Sequence, residues 1–216
     1  MTLRSLALPC LIALLGGACA PGSPAAAPAA AAPVPAPAPV PPAPPIVPRE
    51  AWGARPAAGP MRAHDISRIT IHHTAGLQRP ERTLADKLRA LQEFSQTRSP
   101  LGDGRIKEPW PDIPYHFYVD LQGQVAEARD VGYAGDSNTA YDPAGHLLIV
   151  LEGNFESEFA TAPQMEALRR LVVWAAARWS VPASRIGDHN DFAQTACPGR
   201  RLEPLLPGVT QLVRGR

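Results

Sequence analysis

Residues 21–48 are almost wholly Pro, Ala and Val, and this tract most constrains what the chain can fold into. Such a sequence cannot build a core and favours extended polyproline II. At about 3.1 Å per residue it reaches on the order of 80 Å when fully extended. It reads either as a stiff spacer that holds a domain off a membrane or as a passive linker. Both readings put it outside the fold and leave residues 49–216 to form one domain around one core. Of the 21 basic residues only Arg4 precedes that domain, which therefore carries 20 basic against 20 acidic side chains. A neutral domain gives no electrostatic reason to expect nucleic acid or an anionic membrane as its ligand.

The segment before the tract reads as an export signal, residues 1–18. Arg4 supplies a short positive start, and Leu6 to Leu15 is mostly apolar but too short to span a bilayer. Gly16-Gly17-Ala18-Cys19 follows, small residues leading to a cysteine, as at bacterial lipid-attachment sites. Gly16 stands where such sites usually have Leu. The competing reading is ordinary cleavage after Ala20, which Pro21 disfavours. We expect lipid attachment at Cys19, with residues 19–48 as anchor and linker. Cys10 is then lost with the signal and Cys19 is acylated. Cys197 is left without a disulfide partner, and metal ligation accounts for an unpaired cysteine in an exported chain.

Within 49–216 the pattern predicts a mixed α/β fold. Ile66 to Thr74 alternates as a strand. Thr83 caps a helix through Gln96, with Leu84, Leu88 and Leu91 on one face. The Gly-, Pro- and charge-rich stretch 97–113 reads as a surface loop. Tyr115 to Asp120 and Gln124 to Arg129 read as a hairpin turning at Gly123. Leu147 to Leu151 reads as a buried central strand. Thr161-Ala162-Pro163-Gln164 opens a long helix with a capping box. Ile186 to His189 reads as a short last strand, and 198–206 as the start of a final helix. This order argues a mixed central sheet flanked by helices.

Three residues carry the chemistry. His72 ends a strand in Ile71-His72-His73-Thr74. His189 and Cys197 bracket a later loop, with Pro198-Gly199 after the cysteine. Two imidazoles and a thiolate fill three corners of a tetrahedron and leave the fourth open, the arrangement of a catalytic rather than a structural zinc site.

These motifs resemble a known family, the zinc-dependent N-acetylmuramoyl-L-alanine amidases of the peptidoglycan-recognition and phage-lysozyme type. The resemblance covers roughly Pro48 to Leu206. Its landmarks stand in family order: Ile71-His72-His73-Thr74, Asp112-Ile113-Pro114-Tyr115-His116-Phe117, Glu127-Ala128-Arg129, Glu152-Gly153-Asn154-Phe155, and His189 through Gly199. It implies Zn2+ held by His72, His189 and Cys197. It implies that Tyr115 lies near the attacking water and that Thr195 assists. The implied substrate is the amide joining the lactyl group of N-acetylmuramic acid to L-alanine. Trp110 matches a position that contacts the third stem residue, or else it packs its loop. Arg129 either pairs with the free carboxylate of meso-diaminopimelate or braces its hairpin. His116 lines the groove or is a packed neutral histidine.

Two departures stand out. Val150 occupies the position where cytosolic relatives place a glutamate base. Glu152 is the nearest acidic substitute, or a strand-end surface carboxylate. Gly135-Asp136-Ser137-Asn138 replaces a histidine usual in the family. His73 reads as structural, His64 and His146 as surface or loop residues, and Trp174 and Trp179 as core or helix surface. Asp188 and Asp191 are partners of His189 or solvated turn residues.

The resulting expectation is an exported, monomeric zinc amidase. It would be periplasmic, lipid-anchored to the outer membrane, and touch the membrane only through that anchor. Its partners would be peptidoglycan or muropeptides. The alternative is a module of the same fold that binds peptidoglycan without cutting it. A lipid-anchored tether would leave the metal donors without a use.

Overall fold

A computed structural model describes residues 40–102 and 104–215. The expected signal peptide, Cys19 and the linker as far as residue 39 lie outside the described residues.

Among the described residues, eight strands and three α-helices follow in chain order: β1 (Ile46–Val47), β2 (Arg68–His73), α1 (Leu84–Gln96), β3 (Ser99–Pro100), β4 (Ile106–Lys107), β5 (Phe117–Val119), β6 (Val125–Glu127), β7 (His146–Leu151), α2 (Ala162–Arg178), β8 (Ile186–Asp188) and α3 (Leu206–Arg214). Six strands form one mixed sheet in the order β1-β6-β5-β7-β2-β8. β7 runs parallel to both its neighbours, β2 and β5. β8 is parallel to β2, β1 is parallel to β6, and the β5–β6 hairpin is antiparallel. This is the mixed sheet flanked by helices that the pattern predicts.

β7 is apolar throughout its interior because both its faces are covered. Leu147, Ile149 and Leu151 point with Ile69 and Ile71 into a core closed by α2 and α3. On the opposite face Val150 packs with Trp52, Leu84, Leu88 and Tyr118 beneath α1. α1 is capped by Thr83, whose hydroxyl accepts from Asp86 N at 3.1 Å. α2 opens with the full capping box of Thr161 and Gln164. Gly123 turns the β5–β6 hairpin at φ 78°, and a Cβ there would lie 2.6 Å from the Pro163 carbonyl oxygen.

Three expectations change. The sheet starts earlier than residue 49, because Ile46 and Val47 pair with Val125 and Ala126. β1 is an edge strand, where neighbouring prolines remove no needed donor. The stretch expected as a plain loop, 97–113, contains the β3–β4 ribbon. The last helix starts at Leu206 rather than near Pro198, after a 3-10 turn at Glu203–Leu205.

Candidate metal centre

His72 is the fifth residue of β2, on the face away from Ile69 and Ile71. β8 pairs beside β2, with Asp188 opposite Ile71, and the next residue is His189. Asp188 then caps the turn that carries His189. Its Oδ1 accepts from Asn190 N at 3.1 Å, and Asp191 Oδ2 accepts from Asp188 N at 3.0 Å. Both carboxylates shape the turn; Asp191 is exposed, as the turn reading has it, whereas Asp188 is buried rather than solvated. Cys197 returns to β2, where its Sγ accepts from His73 N at 3.4 Å. Thr195 Oγ1 accepts from Cys197 N at 3.2 Å and so holds the loop in shape.

The potential ligand atoms of His72, His189 and Cys197 all lie within 4.8 Å of one another. Cys197 Sγ is 3.7 Å from His72 Nδ1. A zinc ion with arms of about 2.3 Å to sulfur and about 2.0 Å to nitrogen at a tetrahedral angle sets them about 3.5 Å apart. His72 Nε2 is buried and has no hydrogen-bond partner. An ion beside Cys197 Sγ would take Nδ1, so Nε2 keeps the ring proton and its burial is a cost that the ion does not meet.

The electrostatics also fit a cation. Burial, then the neighbouring His189, hold the His72 imidazolium well below its usual range. Burial lowers His189 to about 4. Both rings are therefore neutral, the form that ligates. Burial pushes the Cys197 thiol up to about 12, against the stabilising His73 N–H. A buried thiol of that kind becomes thiolate only beside a cation.

The donors line a cleft of about 370 Å³. Tyr115 and Thr195 line it too, and the Tyr115 ring centroid lies 5.2 Å from that of His72. Burial raises the Tyr115 phenol above its ordinary range, so its hydroxyl keeps its proton. Leu91, Phe94 and Trp110 supply apolar lining, and Asp136 to Thr139 supply polar lining. Lys107 Nζ sits 4.6 Å from the Trp110 ring centroid, which takes up part of that ring.

Two candidate substrate contacts do not reach the cleft. His116 is fully buried: its Nε2 meets Tyr133 O at 2.9 Å and its Nδ1 accepts from Leu148 N at 2.8 Å. Arg129 is 1% exposed and donates to the backbone carbonyls of Ile113, Ala134 and Asp112. It touches the cleft only through its ion pair with Asp136. For both, the structural alternative is the one the geometry takes.

Glu152 follows neither of its readings. It is buried and receives Lys87 Nζ at 2.8 Å and Arg79 N at 2.8 Å. It is neither a surface carboxylate nor part of the cleft lining. His146 is not a loop residue either: it opens β7, is buried, and bonds Thr70 Oγ1 through Nδ1 at 2.8 Å. His64 is half-buried and stacks on His116 at 5.5 Å. His73 accepts from Phe155 N at 3.3 Å, on the core side of β2.

The sequence reading missed Thr139 and Tyr141. Thr139 Oγ1 lies 2.8 Å from His189 Nε2. The Tyr141 ring packs 5.1 Å from that of His189, and its hydroxyl is buried without a partner. Their signal is indirect, since both follow the segment where a family histidine is absent. Gly135 opens that segment because a Cβ would overlap the Pro114 carbonyl oxygen.

This arrangement has relatives. Peptidoglycan-recognition protein SD of Drosophila simulans is 28% identical over 170 residues, spanning 75% of this chain and 84% of that protein. An N-acetylmuramoyl-L-alanine amidase of Sus scrofa is 28% identical over 171 residues, 76% of this chain but 27% of its own length. The structure of peptidoglycan recognition protein LE in complex with tracheal cytotoxin, a monomeric diaminopimelic acid-type peptidoglycan, superposes with a TM-score of 0.63 at 25% identity, over 76% of this chain and 92% of that one. Residues 62–200, from before β2 to just past Cys197, match the family described as N-acetylmuramoyl-L-alanine amidase, and with the match reaching from the first candidate donor to the last, the chain belongs to that family.

Proposed function

We propose that this chain is a zinc-dependent hydrolase that cuts the amide between N-acetylmuramic acid and L-alanine in peptidoglycan. The observation that carries the reading is the meeting of His72, His189 and Cys197 in a cleft that Tyr115 shares. These three residues would hold the ion. When bound, zinc supplies Lewis acidity, lowering the pKa of water toward about 7 and polarising the scissile carbonyl.

The chain's own groups do the rest. Tyr115 keeps its proton and donates it as a hydrogen bond to the amide oxygen as charge builds there. Thr195 accepts from Cys197 N and keeps its O–H to orient a reacting group. Glu152 is engaged with Lys87, so proton transfer to the leaving amine falls to solvent. Trp110, Phe94 and Leu91 bury the apolar parts of a stem peptide.

The test is mass spectrometry of purified muropeptides after incubation with the protein. Cleavage yields a free stem peptide beginning with L-alanine and a sugar bearing a free lactyl carboxylate. A second reading is a peptidoglycan-binding module without hydrolysis. The complex of recognition protein LE with tracheal cytotoxin supports it, and the intact donor set weighs against it. Muropeptides that are bound but unchanged by zinc-loaded protein would decide for the second reading.

We also infer that residues 1–18 direct export and that Cys19 carries the lipid, with the Pro/Ala tract as tether. An anchor of more than one acyl chain gives stable membrane attachment. The protein is then periplasmic, at the outer membrane. Cys19→Ser should release it from the membrane fraction without loss of activity on soluble muropeptides. A wild-type protein that fractionates as soluble, with its N-terminus beyond Cys19, sinks this part alone.

A further inference from the structure

We propose that Thr139, backed by Ser137, is a positioning residue that fixes the tautomer and orientation of His189 for metal ligation. The inference rests on the zinc reading above. His189 has two ring nitrogens. Its Nε2 lies 2.8 Å from Thr139 Oγ1, so only Nδ1 remains for an ion. A ligating imidazole must be neutral, with its lone pair on the metal and its N–H given to something else. Thr139 is that acceptor.

The hydroxyls beyond it set the direction of the chain. Ser137 Oγ lies 2.7 Å from Thr139 Oγ1 and also accepts from Thr139 N at 3.1 Å. Thr139 can therefore accept from His189 and pass its own proton to Ser137. Ser137 already accepts twice, so its remaining O–H points onward, and Ser137 itself lines the cleft. The order is His189 N–H to Thr139 to Ser137 to the cleft. The Tyr141 ring, 5.1 Å from the His189 ring, restricts rotation of the imidazole but offers Nε2 no acceptor. The four residues 135–138 that replace the family histidine thus lead directly into a support for the second histidine donor.

The measurement is zinc affinity by competition with a chromophoric chelator, together with the visible spectrum of the cobalt(II)-loaded protein. Thr139→Val removes the hydroxyl at nearly constant shape. It should weaken zinc binding about 10- to 100-fold, the usual effect of removing an outer partner of a histidine ligand, and should alter the cobalt bands. Thr139→Ser restores the acceptor and should return both readouts to near wild type. Ser137→Ala leaves Thr139 in place and should produce a smaller loss of the same sign. Thr139→Val with wild-type zinc affinity and an unchanged cobalt spectrum overturns the proposal. So does a Thr139→Ser variant as weak as Thr139→Val, which would mark a packing role. His189→Ala is measured alongside: if it keeps its zinc, the donor assignment fails instead, and the two failures are distinct.

Discussion

β2 and β7 present two buried faces of different chemistry, one apolar but for His73 and the other mixing apolar with polar side chains. Toward α2 and α3 they project Ile69, Ile71, Leu147, Ile149 and Leu151, all at 0% exposure. On the other face, beside the apolar Leu148 and Val150, the same strands carry Thr70, His72 and His146, and Glu152 follows β7 directly. Apolar side chains need only neighbours there, and polar ones need partners. Thr70 has His146, and Glu152 has Lys87. Among the described residues, two buried side-chain polar atoms lack a partner, His72 Nε2 and the Tyr141 hydroxyl. His72 is a candidate donor, and the Tyr141 ring packs on another, His189. The lesson of the two faces is that neither burial nor polarity marks the site. What marks it is the meeting of donor atoms from His72, His189 and Cys197 within 4.8 Å of one another.

The sharpest way to break the comparison is to remove a donor. Cys197→Ser and His189→Ala should each lose most of the bound zinc and nearly all activity, while far-UV circular dichroism stays native. Elemental analysis of purified protein checks this. Full zinc occupancy in both variants would mean that the polar face is structural like the other one.

Next in size is Tyr115→Phe. Its zinc content should match the wild type, while turnover falls about 10²- to 10³-fold through loss of one donor to the developing oxyanion. Single-turnover kinetics on a muropeptide separate this from weaker binding. Wild-type turnover would move the donor role to another hydroxyl, with Tyr141 the next to vary.

Ile149→Ala attacks the apolar face. Ile149 is fully buried under α2, and such truncations cost about 3 kcal/mol. Denaturant unfolding should show that loss, with zinc affinity little changed in the protein that remains folded. A large drop in zinc affinity would show that the two faces are not independent.

The convergence of His72, His189 and Cys197 was legible in the sequence because few side chains can ligate a metal and each of these stands in its own motif. The helix starts were legible because Thr83 and Thr161 cap within three residues of themselves. Arg129 and His116 could be narrowed only to alternatives. Their partners are backbone carbonyls of Ile113, Ala134 and Tyr133, which no residue pattern advertises. Glu152 was misplaced for a related reason: Lys87 comes to it from α1, and only the fold brings them together. β1, β3 and β4 are two residues each, too short for any alternation to register. Thr139 escaped notice because a threonine in a loop looks the same whether or not a histidine stands behind it.

The smallest effect tests the seam between the faces. Thr161 caps α2, on the apolar side, and its hydroxyl also donates to Leu121 O at 2.6 Å, beside the β5–β6 turn. Gln164 closes the box by accepting from Thr161 N and donates through Nε2 to Glu152 O at 2.8 Å, just past the end of β7. Thr161→Ala removes the acceptor for Gln164 N and the tie to Leu121. Loss of a threonine cap costs about 1 kcal/mol, which in a domain of this size lowers the melting temperature by about 2–4 °C. The Gln164 side chain remains, so Glu152 and the strand end leading to it should hold their places. Zinc affinity and muropeptide turnover should then equal those of the wild type. If the melting temperature falls as expected and zinc affinity falls with it, the Gln164–Glu152 contact transmits strain across the sheet. The apolar face would then be part of what holds the donors in place.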